Sequence, residues 1–309
     1  MKKSYSFPWF TTLLTLVCLA IFIIFQIYQQ SETPLFKAYS ELGAPYAIQI
    51  YHGQHWGVIT NSFIHINYTH IILNFAGLWL FGAFLERRMG FVRLFLLGLL
   101  GSIVTSSLQL GLTNDAGLGL SGVNLLLLGF ILGKSLTNDE YKLKYRYLIL
   151  FLAITGLCIS LYLNLYHGYF ISLEAMTGGL IIGYLLGLSS NFKSKVSISI
   201  AVILLITCSW GSLLYAPWSA EWNYSMAYTA HDNGEIENAK KYYNEAIRIN
   251  PKHSISKVNL RLIKIDELSE KALKAHQEED YTLARSYYEK LLIIDPKNKW
   301  AKENIRKLP

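Results

Sequence analysis

The chain has 309 residues, 52% hydrophobic and 14% aromatic, with a formal net charge of +7. That composition excludes a disordered chain and puts an integral membrane protein first. The basic excess sits in short loops and a polar tail, which makes no case for nucleic-acid binding. Cys18, Cys158 and Cys208 all fall in apolar runs, so neither a disulfide framework nor a thiol metal site is implied.

Apolar runs of roughly the 17 to 25 residues that cross a bilayer lie at 8–28, 57–85, 91–111, 146–166, 173–190 and 196–216. A shorter run, 121–133, is read as a seventh span, its outer end in a wet cavity rather than in lipid. Pro8 opens the first run and no small-residue cleavage site follows it, so it reads as an anchor rather than a removed signal peptide. Lys2, Lys3, Arg87, Arg88, Arg93, Lys134, Lys142, Lys144, Arg146, Lys193 and Lys195 fall on one side of these spans. The opposite loops (29–56, 112–120 and 165–172) hold only Lys37. The imbalance predicts a cytoplasmic N-terminus. Seven spans then put everything after Pro217 outside the cytoplasm, and Ser121 near the outer face.

The second run carries His65, His70 and Asn74. The last two are four apart and share a helix face. Polar side chains inside a span are costly unless partnered or hydrated, so they mark a candidate site. Both can aim N–H donors at one point, as an oxyanion hole requires; a hydrogen-bonded pair that merely fixes helix packing is the plainer alternative. Metal binding is disfavoured, since His65 and His70 are five apart with no acidic residue close by in sequence.

Gly119-Leu120-Ser121-Gly122 opens the short run. A serine there has free backbone N–H groups and the positive end of a helix dipole beside it, and the flanking glycines allow close approach. The plainer reading is a helix N-cap serine between packing glycines. On the run 173–190, Gly179, Gly183 and Gly187 make a small-residue face suited to close helix packing, and Met176 precedes Gly179 by three on that face.

The tail from about Trp218 is polar and helix-periodic. Ala239, Tyr243, Ala246 and Pro251 match Ala284, Tyr288, Leu291 and Pro296 at identical spacing, an interval of 45 residues. Small–aromatic–small followed by proline is how a helix hairpin packs and stops. This resembles tetratricopeptide repeats, with the helix around 254–268 extended or irregular. Two repeats are few for independent stability, so the tail is expected to pack on the last span or on a partner.

Together His65, His70 and Asn74 in H-x4-H-x3-N, Glu86-Arg87-Arg88-Met89-Gly90, Gly119-Leu120-Ser121-Gly122 and Trp56 resemble the rhomboid family of intramembrane serine proteases, over about residues 8–215. The resemblance implies an all-α polytopic fold of six core spans plus one C-terminal span over 1–216, followed by a repeat domain at 217–309. It assigns the nucleophile to Ser121 and oxyanion stabilisation to the Ser121 N–H, His70 and Asn74. Gly119, Gly122, His65 and Trp56 belong to the binding region, the Glu86–Gly90 stretch is structural, and no cofactor or metal is implied.

The pattern departs in three places. Met176 stands where the family's catalytic histidine falls in A-H-x-G-G, Leu125 where tyrosine often follows the serine, and Gly57 where arginine usually follows the tryptophan. A thioether cannot take a proton at neutral pH. The expectation is therefore a client-binding pseudoprotease, its partners transmembrane segments in the bilayer and a protein held by the repeats. The alternative is an active endopeptidase with His70 or His167 as substitute base; Glu174 points away from the Met176 face.

Overall fold

The computed structural model describes residues 7–30, 34–113, 115, 117–136, 138–167, 172–189 and 195–309. Those residues are helical with no strand among them, and they divide into two compact units, Met1–Ser219 and Ala220–Pro309.

The first unit opens with α1 (Trp9–Gln30), whose N-terminus sits on the Glu86 carboxylate. Phe10 N, Thr11 N and Thr11 Oγ1 donate to it at 2.7, 2.9 and 2.8 Å. Glu86 is only 3% exposed. A buried carboxylate is tolerated there because unpaired helix N–H groups and the dipole supply positive potential. The structural role implied for the Glu86 stretch thus has a concrete form, a cap for the first helix.

Residues 34–67 form short pieces: α2 (Leu35–Glu41), α3 (Ala47–Tyr51), α4 (Gly57–Thr60) and a 3-10 turn over Asn61–Phe63. This corrects the second span, which begins at Tyr68 rather than at 57. Ile64 and Asn67 are extended, and the Asn67 side chain caps the new helix by accepting from His70 N at 2.8 Å. His65 is therefore off the helix that carries His70. From there α5 (Tyr68–Gly77), a π-helical turn (Leu78–Gly82) and α6 (Ala83–Met89) run on as one apolar rod.

The next helices are α7 (Phe91–Thr113), α8 (Ser121–Lys134), α9 (Arg146–His167), α10 (Leu173–Ser189) and α11 (Lys195–Leu214). Trp9–Gln30, Tyr68–Met89, Phe91–Thr113 and Arg146–Tyr166 are long and apolar enough to cross a bilayer. Ser121–Lys134, Leu173–Ser189 and Leu205–Leu214 are shorter apolar stretches.

At the centre is α8: Leu126, Leu127, Leu128 and Ile131 are buried in the main apolar cluster. Against it α10 lies backbone on backbone. A Cβ added to Gly179, Gly183 or Gly187 would fall 2.4, 2.0 or 2.4 Å from the carbonyl oxygens of Gly122, Leu126 and Phe130. One added to Gly129 or Gly133 would fall 2.2 Å from the Leu180 or Tyr184 oxygen. The partners advance together along both chains, so the two helices run parallel. Only glycine permits that approach, and van der Waals contact is what holds helices together in lipid.

The second unit is built from α12 (Ala220–Asp232), α13 (Ile236–Ile249), α14 (Ser254–Gln277), α15 (Tyr281–Ile294) and α16 (Lys299–Lys307). The interval of 45 residues is a structural repeat. His231 packs edge-on to Tyr243 at 6.2 Å and 87°, and His276 does the same to Tyr288 at 6.4 Å and 86°. Ala227, Ala230 and Ala239 are buried as Ala272, Ala275 and Ala284 are. α14 has 24 residues where α12 has 13, and that excess accounts for the stretch beyond the usual interval of about 34.

Candidate functional site

The site grows from the turn before α8. Gly117 and Gly119 have φ of +67° and +82°, a region that favours glycine. Gly119 N donates to Asn61 O at 3.0 Å, tying the turn to the 3-10 segment. Leu120 is the N-cap and Ser121 the first helical residue. Ser121 is thus not the capping serine that the plainer reading offered. The first N–H groups of α8, beginning with that of Ser121, lack intrahelical acceptors. The Ser121 hydroxyl makes no hydrogen bond among the described residues.

Against this turn lie His70 and Asn74. A Cβ on Gly119 would sit 2.5 Å from His70 Nε2 and 3.4 Å from Asn74 Nδ2, so both nitrogens converge beside the backbone that leads into Ser121. The Asn74 amide is held in orientation. Its Nδ2 donates to His70 O at 2.9 Å, and its Oδ1 and main-chain oxygen accept from Asn124 Nδ2 at 3.2 and 2.9 Å. Asn124 lies on the Ser121 helix and docks on Gly77, where a Cβ would meet its amide at 2.9 Å.

The two imidazole rings pack with centroids 4.9 Å apart, tilted by 55° to each other. His65 is fully buried; its Nδ1 lies 3.1 Å from Phe63 O and must donate to it, leaving Nε2 bare and without a partner. His70 Nδ1 accepts a long bond from Ile66 N at 3.5 Å. That bond favours the tautomer with the proton on Nε2, which then faces Gly119 as a donor.

Met176 enters from α10. Gln109 Oε1 accepts from Ala175 N at 3.0 Å and so anchors the start of that helix. A Cβ on Gly122 would lie 3.2 Å from Ala175 O and 2.7 Å from Thr105 Oγ1. The first turns of α8 and α10 are therefore level, with Met176 beside Ala175. Met176 packs on the apolar cluster that holds Leu120, Val123 and Leu125. Its position brings an apolar thioether to a level where Ser121 supplies a hydroxyl.

Trp56 stands just before α4 with 53% exposure. Gly57 is buried, and a Cβ there would lie 2.5 Å from Pro45 Cγ and 2.9 Å from Ile50 Cγ1, so this fold has no room for an arginine at that position. The His167 side chain lies outside the described residues. Asn124, Gln109 and Asn61 belong to the site and were not anticipated. Asn124 and Gln109 carried a signal, being polar side chains in apolar runs.

Helices long and apolar enough to span a bilayer, enclosing polar groups at one end of a glycine-packed pair, define a polytopic helical membrane protein. Residues 52–191 match the family profile described as a rhomboid domain, and residues 220–253 match one described as a tetratricopeptide repeat. The chain is 26% identical over 130 residues to rhomboid protease GlpG of Haemophilus influenzae, across 42% of this chain and 65% of that protein. It is 34% identical over 134 residues to RHOMBOID-like protein 6, mitochondrial, of Arabidopsis thaliana, across 43% and 42% respectively. Each match spans less than two thirds of the relative's own length. Residues 52–191 of this membrane-type chain thus carry a rhomboid domain, and residues 220–253 a tetratricopeptide repeat.

Proposed function

We propose that this protein is a client-binding rhomboid pseudoprotease, with its N-terminus cytoplasmic and its repeats on the opposite side of the membrane. The observation that carries the reading is Met176. It occupies the start of the helix packed on Ser121, where the rhomboid pattern has its proton acceptor. A serine hydroxyl without a base is a poor nucleophile, and losing one member of such a unit costs on the order of 10⁶ in turnover. The bare Ser121 hydroxyl agrees, since no imidazole is hydrogen-bonded to it among the described residues. The donors that would hold an oxyanion, His70 and Asn74, remain suited to gripping a carbonyl of an unwound client segment. The repeats offer a helical surface for a protein partner.

One observation favours a second reading. His70 Nε2 is packed on Gly119, two residues from Ser121, and a bare Nε2 there would make it a substitute base in an active endopeptidase. The bond from Ile66 N opposes this, because it directs the proton to Nε2.

Labelling separates the two. The unaltered protein in bilayer discs should not react at Ser121 with a fluorophosphonate, and Met176→His should gain labelling that Ser121→Ala removes. Labelling of the unaltered protein that disappears in His70→Ala would overturn the pseudoprotease reading in favour of the active enzyme.

A further inference from the structure

The rod over Tyr68–Met89 does something at its far end that the Ser121 site does not use. Trp79, Leu80, Phe84, Arg87 and Arg88 line an open groove of about 380 Å³, within the usual range for ligand sites. Its apolar wall is uncovered, with Trp79 41% and Leu80 46% exposed. The wall begins inside the π-helical turn Leu78–Gly82, an irregularity common at functional positions. Trp79 Nε1 is taken by Thr15 Oγ1 at 3.1 Å, which fixes the indole and leaves its ring as surface.

The rim is cationic. Arg88 stacks over Phe84 with its guanidinium 3.5 Å from the ring centre, and donates to Phe84 O at 2.9 Å and Glu140 O at 2.6 Å. Arg87 is exposed and has no hydrogen bond or ion pair among the described residues. The neighbouring Glu86 does not neutralise it, because that carboxylate is committed to the start of α1. Lys134 adds charge nearby, facing Tyr141, which itself packs on Phe84. Of the acidic residues in the following loop, Asp139 is paired with Lys142 at 2.7 Å.

We infer that this groove binds an anionic phospholipid, its phosphate at Arg87 and Arg88 and one acyl chain along Phe84, Leu80 and Trp79. The depth selects a lipid over a free anion. Leu80 lies seven residues from Arg87, roughly 10 Å along a helix, which reaches well into a hydrocarbon half-layer of about 15 Å. Inorganic phosphate would satisfy the arginines and leave the apolar wall bare. The site is independent of the chemistry at Ser121, so it stands or falls apart from the pseudoprotease reading.

The test is native mass spectrometry of the full chain, stripped of lipid by detergent exchange and titrated with phosphatidylglycerol or phosphatidylcholine. Phosphatidylglycerol should bind selectively. At about 1 kcal/mol per basic residue, Arg87→Ala should weaken it about fivefold and Arg87→Glu about thirtyfold. Leu80→Trp, which fills the groove without altering charge, should weaken it as well, and thermal melting of each variant checks that it is folded. Equal retention of the two lipids, unchanged retention in folded Arg87→Glu, or displacement of phosphatidylglycerol by millimolar inorganic phosphate overturns the proposal. So does a copurifying protein, in place of lipid, that Leu80→Trp removes.

Discussion

Gly119 and His70 are in direct contact: a methyl group on the first would sit 2.5 Å from Nε2 of the second. The contact places the imidazole edge against the turn that delivers Ser121, and it exists because residue 119 has no side chain. Gly119→Ala meets two penalties. One is a φ of +82°, which costs an L residue about 1–2 kcal/mol; the other is expulsion of the imidazole. The variant should melt lower by about 2 to 4 °C for each kcal/mol lost. In a Met176→His background, labelling at Ser121 should fall with it. A variant that melts and labels as its parent does would mean the two residues are not in contact.

Much of this arrangement is written in the sequence, and the exceptions have physical reasons. Apolar length placed the helices to within a few residues, and the glycines at 179, 183 and 187 announced the face that meets α8. Hydropathy starts the second span before its helix does, because Val58, Ile59, Phe63, Ile64 and Ile66 sustain it through a segment that is not a continuous helix. The mark of the true start was Asn67, three residues before His70, which is a capping spacing. Asn124 and Gln109 stayed unread because a polar residue in a span declares a need for a partner without naming it. Their partners, Asn74 and Ala175, are 50 and 66 residues away.

Glu86 makes the next prediction. It receives three hydrogen bonds from the first turn of α1 while almost fully buried. Bonds to charged groups contribute about 1.5–3 kcal/mol each and are not additive. Glu86→Ala should therefore cost at least about 3 kcal/mol, read as an unfolding midpoint in mixed micelles, and Glu86→Gln should fall between it and the parent. A loss under about 1 kcal/mol in Glu86→Ala would show that α1 is held by apolar packing alone.

In the repeats, Gly234 and Glu279 are equivalent residues at the same bend between helices, with φ of +77° and +60°. One is glycine and the other carries a side chain in a region that disfavours it. Glu279→Gly should relieve about 1 kcal/mol, partly offset by the greater freedom glycine has when unfolded. Gly234→Ala should destabilise by about the same amount. Hydrogen exchange of residues 281–294 in the full chain reads the first, and of 236–249 the second. Slower exchange in Gly234→Ala would contradict the shared geometry.

Lys240 links α13 to α14 by donating to Glu267, and it also donates to Glu237 of its own helix at 2.8 Å. The hydrogen bond from Lys240 holds the Glu267 carboxyl below its ordinary value, against the opposing pull of partial burial. With the folded pKa depressed, the unfolded chain binds more protons in the window between the two values. The contribution is therefore complete above the ordinary carboxylate range and is lost as pH falls through the folded value. The repeats should lose stability on acidification from about pH 4.3 downward, and Glu267→Gln should flatten that part of the profile. Lys240 is raised by the same pair, so its share is present below the ordinary lysine value and fades as pH rises through the folded one. Exchange protection of residues 220–309, followed from pH 7 to pH 3 in both proteins, should differ at the upper end and converge at the lower. If the gap between parent and Glu267→Gln stayed constant across that range, the carboxylate would not be the titrating link between α13 and α14.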